Sequence, residues 1–516
     1  MDALKIACSL GLAMLSGWAT VSPTSACAQA RVAWDKVSLS AGRSKPDLVL
    51  TGSVSRPDFQ HNLEVPFDVP AGINQIGIEF DYTRPDGKTT IDFGLFEGKT
   101  FRGWSGSNKH SVTIGENSAT ASYLPGPIGG RRWAMDLGVA YIGEGVTSQY
   151  TARIYFTRPG DMPAVSSFSP EPLQQGARWY RGDFHMHTGE SDGFCASKAG
   201  RNIPCPVFKT IEAAEAAHLD FVTITDHNSV GHFNAMRELQ PYFDDVLLIP
   251  GREITTYEGH ANIFGATSFV DYRLGRPTAP DMVSILSDAV AKGALVSINH
   301  PTAPTDSSCR GCGWSAPPAA MASVSAMEAM NAGNLWRQLA GFDAGKDIVR
   351  WEQELAKGRR MTALGGSDNH DVRLGRLGVG FPTTLVYAAS LSQRAILDAV
   401  KAGHVWIDTS GELGHSFDLQ ASSGNQAGMV GDNFKLAAGQ MLAIKIHVAG
   451  TKGDSFMGLV DGQESKALSQ SSIASDDSGF SFDWPSDGQR HWIRFEVRDG
   501  SKRVLISNPV YVNFDR

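Results

Sequence analysis

The segment Phe221-Val-Thr-Ile-Thr-Asp-His227 decides how the central part of this 516-residue chain is interpreted. Five apolar or β-branched residues predict a short buried strand, and an acidic and an imidazole side chain follow it directly. Apolar runs at 246–249 and 295–298 recur in the same way. Between such strands we expect helices over 208–218, 280–292, 348–357 and 391–402. Strands that alternate with helices favour parallel βα units, and the length of this region suits a barrel better than an open sheet.

Both flanks of this region are predicted to be β-structure. Near the N-terminus Ile76, Ile78 and Phe80 alternate with small or polar residues, which is the period of a half-buried strand. Near the C-terminus Ile493 and Phe495 do the same. We therefore predict an α/β chain with three domains after residue 30. They are an N-terminal β-sandwich or jelly roll over 31–172, a barrel over 173–410 and a C-terminal, possibly immunoglobulin-like, β-sandwich over 411–516, with a proline-rich linker at 158–172.

The first 30 residues have the layout of a secretory signal. Lys5 precedes the apolar run 6–15, and small residues continue to Ala30, where cleavage is expected. An N-terminal membrane anchor is the alternative, but the run is too short to span a bilayer comfortably. A lipoprotein site at Cys27 is disfavoured because Thr24 replaces the expected aliphatic residue. We predict a periplasmic or secreted protein with no integral membrane segment in the mature chain.

Net charge and cysteine content indicate which partners and which cysteine chemistry to expect. The formal net charge is −8 and no basic run stands out, so nucleic acid is not an expected partner. Outside the signal, the cysteines are Cys195, Cys205, Cys309 and Cys312. In an exported protein they favour disulfides, with three possible connectivities. A four-thiolate zinc site is the alternative, because Cys309-Arg-Gly-Cys312 has suitable spacing, but a second close pair is missing.

Imidazole and carboxylate side chains concentrate at the ends of the predicted strands. Residues two apart on a strand point to one side, so His185 and His187 can face one metal ion, as can Asp368 and His370. In βα barrels the carboxyl ends of different strands converge on one mouth. Core histidines scattered at random would show no such preference. The candidate metal ligands are His185, His187, Asp192, His227, Glu253, His260, His300, Asp368 and His370.

Nine ligands exceed the need of one ion. We predict two or three divalent ions, Zn, Mn or Fe, that share Glu253 as a bridging carboxylate. The predicted reaction is hydrolysis of a small-molecule ester by a metal-bridged hydroxide. Asp226 is a candidate proton shuttle or a partner that orients a ligand. Further candidate catalytic residues are His260 and His300, with Arg252, Arg373 and Arg376 to neutralise phosphoryl oxygens.

The order of these motifs resembles the polymerase-and-histidinol-phosphatase (PHP) metallohydrolases. The motifs are His-x-His at 185, Asp-His at 226, Gly-x-Glu at 251, Gly-His-x-Asn at 259, Asn-His-Pro at 299 and Ser-Asp-x-His at 367. The flanking β-domains and the closing Ile506-Ser-Asn-Pro-Val510 are similar to the exported branch named for carbaryl-type carbamate and ester hydrolases.

The resemblance implies a distorted (β/α)7 barrel with a di- or trinuclear site. One ion would be held by His185, His187, Glu253 and Asp368, a second by Asp192, His227 and His370, and a third by Glu253, His260 and His300. Asp192 departs from the many trinuclear members that carry a histidine there. Glu328 and Asn331 end a further predicted strand near the site, with a supporting, substrate-binding or purely structural role.

Four functions are compatible with these sequence features to different degrees. The resemblance favours phosphoester hydrolysis, with carbamate or carboxyl-ester hydrolysis as the alternative. A serine hydrolase would use Ser367, but Gly365-Gly-Ser-Asp-Asn369 lacks the last glycine of a nucleophile elbow. A non-catalytic extracytoplasmic protein that binds glycan or cell-wall material through its β-domains is the alternative of another class.

Overall fold

The computed structural model describes residues 45–159, 161, 168–169, 171–305, 311–333 and 345–515. The predicted signal at 1–30, most of the predicted linker and Cys309 lie outside these residues. The described chain is mixed α/β, rich in sheet and with few helices. Within it, no helix combines the length and the apolar character needed to cross a membrane.

The N-terminal strands form two antiparallel sheets around one hydrophobic core. The sheets have the orders β1-β8-β3-β6 and β2-β7-β4-β5. The strands are β1 (Leu48–Ser55), β2 (Asn62–Val69), β3 (Gln75–Tyr82), β4 (Thr89–Glu97), β5 (Thr100–Ser105), β6 (Ser111–Gly115), β7 (Arg131–Ile142) and β8 (Thr147–Thr157). Phe80 of one sheet stacks on Phe93 of the other, with their ring centroids 5.0 Å apart.

Helices and strands alternate through the central region. The helices are α1 (Val207–Ala216), α2 (His232–Leu239), α3 (Met282–Ala291), α4 (Gly345–Ala356) and α5 (Gln393–Ala402). The four predicted helices are confirmed within a few residues, whereas α2 was not predicted. Helix α3 begins at Asp281, whose side chain accepts a hydrogen bond from the backbone of Ser284, and α5 begins at Ser392 in the same way. Short 3-10 helices lie at Arg56–Asp58, Pro85–Gly87, Pro318–Ser323, Val372–Leu377 and Lys466–Leu468.

The central strands run in the order β17-β16-β15-β14-β13-β12-β9-β18-β19. They are β9 (Gln174–Asp183), β12 (Phe221–Ile224), β13 (Leu247–Thr256), β14 (Gly259–Phe264), β15 (Leu295–Ile298), β16 (Ala326–Asn331), β17 (Thr362–Gly366), β18 (Thr383–Leu391) and β19 (Val405–Asp408), with a separate hairpin of β10 (Phe194–Ala196) and β11 (Asn202–Pro204). Strand β17, at the end of this series, also contacts β18. There the Thr384 hydroxyl accepts a hydrogen bond from the N–H of Gly365 and donates one to its carbonyl, each at 2.8 Å.

The prediction of parallel βα units is correct for only part of this sheet. Strands β9, β12 and β13 are parallel, as are β15, β16 and β17. Strand β14 is antiparallel to β13 and β15, and β18 is antiparallel to β9. The reason at β14 is the direct turn through Tyr257 and Glu258, which is too short for a parallel crossover. The start of β14, with His260, therefore lies at the same edge as the end of β13.

The C-terminal strands form two layers, one of which continues the central sheet through the pairing of β19 with β28. The strands are β20 (Ser416–Ser423), β21 (Gln426–Met429), β22 (Asn433–Phe434), β23 (Met441–Ala449), β24 (Ser455–Val460), β25 (Gln463–Glu464), β26 (Asp477–Pro485), β27 (His491–Asp499), β28 (Lys502–Ser507) and β29 (Val510–Val512). The other layer has the order β21-β20-β23-β26. Trp406 of β19 packs into the core between them.

A buried carboxylate is held among arginines on β27 and β28. Glu496 is 2.6 Å from Nη1 of Arg494, 2.6 Å from Nε of Arg498 and 3.1 Å from Nε of Arg503. Burial alone would raise the pKa of Glu496, but the charges of these arginines lower it from 4.5 to about 2. The ionised form is thus favoured by the folded state.

This cluster predicts a pH-dependent loss of stability. Because the folded pKa of Glu496 lies below its unfolded value, its stabilisation is complete above the unfolded pKa and disappears as the pH falls towards the folded one. We expect the wild type to lose about 2 kcal/mol relative to Glu496→Gln between about pH 5 and pH 3. Urea unfolding of both proteins across this range measures the difference. A constant difference would contradict the prediction, and Glu464→Gln on exposed β25 is the control.

Candidate metal centre

Glu253 lies on β13 with its carboxylate fully buried at the centre of a histidine cluster. Its Oε2 atom is 2.7 Å from Nδ1 of His227, 3.4 Å from Nε2 of His185 and 3.5 Å from Nε2 of His187. These three histidines come from two different strand ends, after β12 and after β9. One carboxylate oxygen therefore faces three imidazole nitrogens.

The second oxygen of Glu253 faces the opposite side of the cluster. Its Oε1 atom is 3.1 Å from Nδ1 of His260 and 3.5 Å from Nε2 of His300. Asn299 donates to the same oxygen at 2.8 Å, which fixes the carboxylate plane. Glu253 thus lies within 3.5 Å of five imidazole rings, in the position expected of a bridging ligand.

His185 and His187 face Asp368 across the same space. Their Nε2 atoms are 3.2 Å apart, and they lie 3.3 and 3.1 Å from Oδ1 of Asp368. Burial lowers the pKa of His187, and the charges of His370 and His227 lower it further, to about 4. His187 is therefore a neutral imidazole, the form that binds metals.

The hydrogen bonds of His185 define which of its nitrogens is free. Glu328 accepts from the backbone N–H of His300 at 2.8 Å and from Asn331 at 3.0 Å, so it is an acceptor, and its Oε1 is 2.6 Å from Nδ1 of His185. Nδ1 then carries the proton, and in the neutral ring Nε2 presents a lone pair. That lone pair points towards Asp368 and Glu253.

The direction of these lone pairs fits a metal ion bound between the side chains. If both rings were neutral and no cation were present, the Nε2 atoms of His185 and His187 and the oxygens of Asp368 and Glu253 would face one another as acceptors. Burial lowers the pKa of His185, but the charges of Glu328, Asp368 and Glu253 raise it well above its usual value. The site thus attracts positive charge at this point. Oε2 of Glu253 is buried and accepts no hydrogen bond from the described residues, which also fits a metal ligand.

A second group of ligands lies nearer the surface. His370 Nε2 is 3.3 Å from Asp192 and His227 Nε2 is 3.7 Å from it. Burial would raise the pKa of Asp192, but the hydrogen bond and charge of His370 and the charge of His227 lower it to about 2. Burial would lower the pKa of His370, but Asp192 and Asp368 raise it to about 9. One ligand atom from each of His187, Asp192, His227 and His370 lies within 4.8 Å of the others.

The structure therefore brings the nine predicted ligands into one continuous cluster. Three of the strand ends that carry them have left-handed backbone at a residue other than glycine: Asn228 (φ 51°), His300 (φ 26°) and Asp368 (φ 49°). Such conformations are uncommon and persist where surrounding contacts impose them. At His300 the contact is the hydrogen bond from its N–H to Glu328.

Asp226 lies beside this cluster in sequence but points elsewhere. Its buried carboxylate accepts from the backbone N–H and hydroxyl of Thr188, both at 2.7 Å, and from the hydroxyl of Ser191 at 2.6 Å. These contacts hold the loop that carries Asp192. These hydrogen bonds favour the orienting role predicted for Asp226 over that of a proton shuttle.

Asp226→Asn should weaken the ligand group nearer the surface, which contains Asp192, His227 and His370 and is called the outer ligand group. The buried group around His185 and Asp368 should stay intact. The amide keeps one acceptor but no longer accepts from both groups of Thr188, so Asp192 is held less firmly. We expect about a tenfold loss of affinity for the weakest-bound ion, as is usual when a supporting contact is removed. Competitive metal titration measures it. A fully metal-loaded variant without activity would instead indicate a direct catalytic role.

Two of the three predicted arginines have described side chains, and they differ in position. Arg252 precedes Glu253 on β13 and so points to the other face, where it donates to the carbonyl of Val270 at 3.1 Å and stacks near Phe269. Its predicted role at phosphoryl oxygens is therefore wrong. Arg373 is partly exposed near the rim, bonded to Asp371 at 2.6 and 2.7 Å. Arg376 has a side chain outside the described part.

Ser367 does not have the environment of a nucleophile. It is buried, and its hydroxyl donates to the backbone carbonyl of His185 at 2.8 Å. This contact joins β17 to the end of β9 and helps to place Asp368. The geometry therefore disfavours the serine-hydrolase alternative.

Several supporting residues escaped the sequence interpretation. Asn299 fixes Glu253, Thr255 lies 2.6 Å from Nδ1 of His227, and buried Asp183 accepts from the backbone of His185 at 3.0 Å and of Ser367 at 3.1 Å. Asn299 had a signal, because it precedes His300 at a strand end. Thr255 and Asp183 had none, since both act across strands that only the fold brings together.

Disulfides, rather than a four-thiolate zinc site, account for the described cysteines. Cys195 and Cys205 form a disulfide across the β10–β11 hairpin. Cys312 is also disulfide-bonded. The first disulfide lies in the segment that follows Asp192.

No protein-family model matches the chain, and no curated protein matches its sequence. Among solved structures it is similar to a two-domain protein of Bacteroides vulgatus that contains a predicted PHP-like metal-dependent phosphoesterase. The identity is 16% and the TM-score 0.36, over 67% of this chain and 98% of that one. It is also similar to an inferred metal-dependent phosphoesterase of Bifidobacterium adolescentis, at 15% identity and a TM-score of 0.26, over 45% of this chain and 96% of that one. These TM-scores are low, and the metal-binding chemistry of the chain rests on its own residues.

Proposed function

We propose that this protein is a metal-dependent hydrolase of the PHP type, with the central sheet as its distorted (β/α)7 barrel. The observation that carries the proposal is the position of Glu253 within 3.5 Å of five imidazole nitrogens. A buried carboxylate among so many histidines is costly unless cations neutralise the site. A purely structural cluster would not need lone pairs that face one another, and this argues against a non-catalytic binding protein.

Two or three divalent ions are the proposed complement. One set is His185, His187, Glu253 and Asp368, a second is Asp192, His227 and His370, and a third is Glu253, His260 and His300. Nitrogen and oxygen donors in this mixture suit Zn, Mn or Fe. Such ions, when bound, lower the pKa of water and polarise the oxygen of an electrophile.

The chain's own residues prepare the ligands for this task. Glu328 holds the proton of His185 on Nδ1, so that Nε2 stays available to a metal. Asn299 keeps one oxygen of Glu253 oriented, and Thr255 does the same for the ring of His227. Interactions of this kind fix ring orientation and raise ligand basicity.

The proposed substrate is a small phosphoester, with carbamates and carboxyl esters as the alternative. Arg373 is an exposed basic group three residues after His370, and Asp371 neutralises much of its charge. It stacks near Phe194, which follows Asp192 by two residues, so it lies beside the outer ligand group. An exported location is proposed with this function, since disulfides persist in oxidising compartments.

Metal removal tests the proposal. We expect a chelator to abolish hydrolysis of nitrophenyl phosphate, nitrophenyl acetate or an aryl carbamate, and Zn²⁺ or Mn²⁺ to restore it. Elemental analysis of the purified protein should give about two or three ions per chain. Activity that survives complete metal removal would overturn the proposal, as would inactivity of the fully loaded protein on all three substrate classes. The relative rates decide between phosphoester and carbonyl substrates.

A further inference from the structure

Cys312 lies against the His260 and His300 side of the metal centre but has no part in the proposed reaction. It is fully buried, and its sulfur and one ring nitrogen of each histidine lie within 4.8 Å of one another. Because this sulfur is bound in a disulfide, it is not a thiolate and does not bind metal in that state.

Each of these two histidines has one ring nitrogen that faces Glu253 and a second one that does not. Nδ1 of His260 and Nε2 of His300 face Glu253, whereas Nε2 of His260 and Nδ1 of His300 are buried without a hydrogen-bond partner among the described residues. Buried nitrogens without partners are costly. One nitrogen of each ring lies within 4.8 Å of the Cys312 sulfur, so this pair of histidines has capacity for a further ligand interaction.

The position of Cys312 is fixed by contacts other than its disulfide. Trp314 donates its N–H to the carbonyl of Pro301 at 2.9 Å, and Ser315 donates to the carbonyl of Glu258 at 2.8 Å. Gly311 has φ 76° and packs so closely on Thr256 that a Cβ would lie 2.3 Å from its carbonyl oxygen. Backbone contacts on both sides therefore hold Cys312 at the metal centre, even if the disulfide opens.

We propose that Cys312 is a redox-controlled ligand of the ion held by His260 and His300. The inference rests on the proposed metal centre. A dithiol reductant supplies two electrons and two protons, the S–S bond breaks to give two thiols, and the reductant becomes a cyclic disulfide. When the ion binds, the Cys312 thiol releases its proton to solvent. The set then gains a soft donor, which shifts the preference of this position from Mn towards Zn.

The sequence supports a reducible sulfur at this position. Cys309-Arg-Gly-Cys312 has the Cys-x-x-Cys spacing that is typical of redox-active pairs. The Cys195–Cys205 disulfide has a wider spacing of 10 residues, and neither of its cysteines belongs to a candidate metal group in the described chain. It therefore provides a matched control.

Cobalt spectroscopy on the full chain tests the inference. Co²⁺ is loaded into oxidised protein and into protein treated with dithiothreitol, with free thiols counted by mass spectrometry after alkylation. We expect visible cobalt bands in both states and a near-ultraviolet thiolate-to-cobalt charge-transfer band in the reduced state alone. Cys312→Ser should lose this band and keep the visible bands. The double variant Cys195→Ser/Cys205→Ser should behave as the wild type does.

The outcomes separate this inference from the proposed function. Visible cobalt bands without a charge-transfer band, in reduced and folded protein, would overturn the role of Cys312 and leave the metal centre standing. A Cys312 disulfide that resists reduction while circular dichroism shows a native fold would also overturn it. Absence of visible cobalt bands in both states would instead overturn the metal centre itself.

Discussion

Glu253→Gln should remove most of the activity and at least one bound ion. Glutamine has nearly the same shape but no charge, and its amide nitrogen cannot bind a metal at the oxygen position it replaces. Three histidines face one oxygen of Glu253 and two face the other, so no neighbouring residue can replace the carboxylate. Since bound ions contribute several kcal/mol of transition-state stabilisation, we expect a loss of about 1000-fold or more in kcat/KM.

Elemental analysis and kinetics of the same preparation measure this effect. Glu212→Gln is the control, because Glu212 lies on the surface of α1 and pairs with Lys209. Full metal content with near-normal kcat/KM would show that Glu253 does not bridge the ions.

The sequence predicted which side chains come together because strand ends impose strong geometry. His185 and His187 had to share a side, as residues two apart on a strand do. Glu253 was expected at the centre, and the structure places it there. The same alternation excludes Arg252, which lies next to Glu253 and must therefore face away. That exclusion is available from the sequence alone.

Other features of the site depend on contacts that no local pattern fixes. His260 reaches the site because Thr256-Tyr-Glu-Gly259 turns the chain directly into an antiparallel strand, whereas the interpretation assumed parallel βα units. Asp226 and His227 are adjacent in a loop, where no fixed period says which side chain points inwards. Glu328 contacts His185 across 143 residues of sequence. Such long-range contacts depend on the final packing of strands, which local patterns do not encode.

The pairing of the C-terminal strands with the central sheet is another long-range contact that local sequence patterns do not encode. The side chain of Asn508 accepts from the N–H of Ala363 at 2.7 Å and donates to the carbonyls of Ala363 and Val405, both at 3.0 Å. One buried amide thus joins β17, β19 and the C-terminal segment. The sequence showed two β-regions around a central one, but it did not show that they share a sheet.

Gly366→Ala should damage the metal centre without changing any ligand. Gly366 ends β17 two residues before Asp368, and a Cβ there would lie 2.2 Å from Oε1 of Glu328 and 2.9 Å from Cβ of His185. Glu328 would have to leave Nδ1 of His185, which it holds at 2.6 Å. Loss of such a supporting contact lowers metal affinity about 10- to 100-fold, and the overpacking costs about 1–3 kcal/mol of stability.

Calorimetric metal titration and urea unfolding of the metal-free protein separate these two losses. Gly479→Ala is the control, because a Cβ there would meet only the carbonyl oxygen of Ile446, at 3.9 Å. The double variant Glu328→Gln/Gly366→Ala distinguishes the causes, since residue 328 then carries no charge before the added Cβ displaces it. If Glu328 transmits the effect, the double variant should bind metal no more weakly than Glu328→Gln alone. Additive losses would show that the clash with His185 acts directly on the ligand.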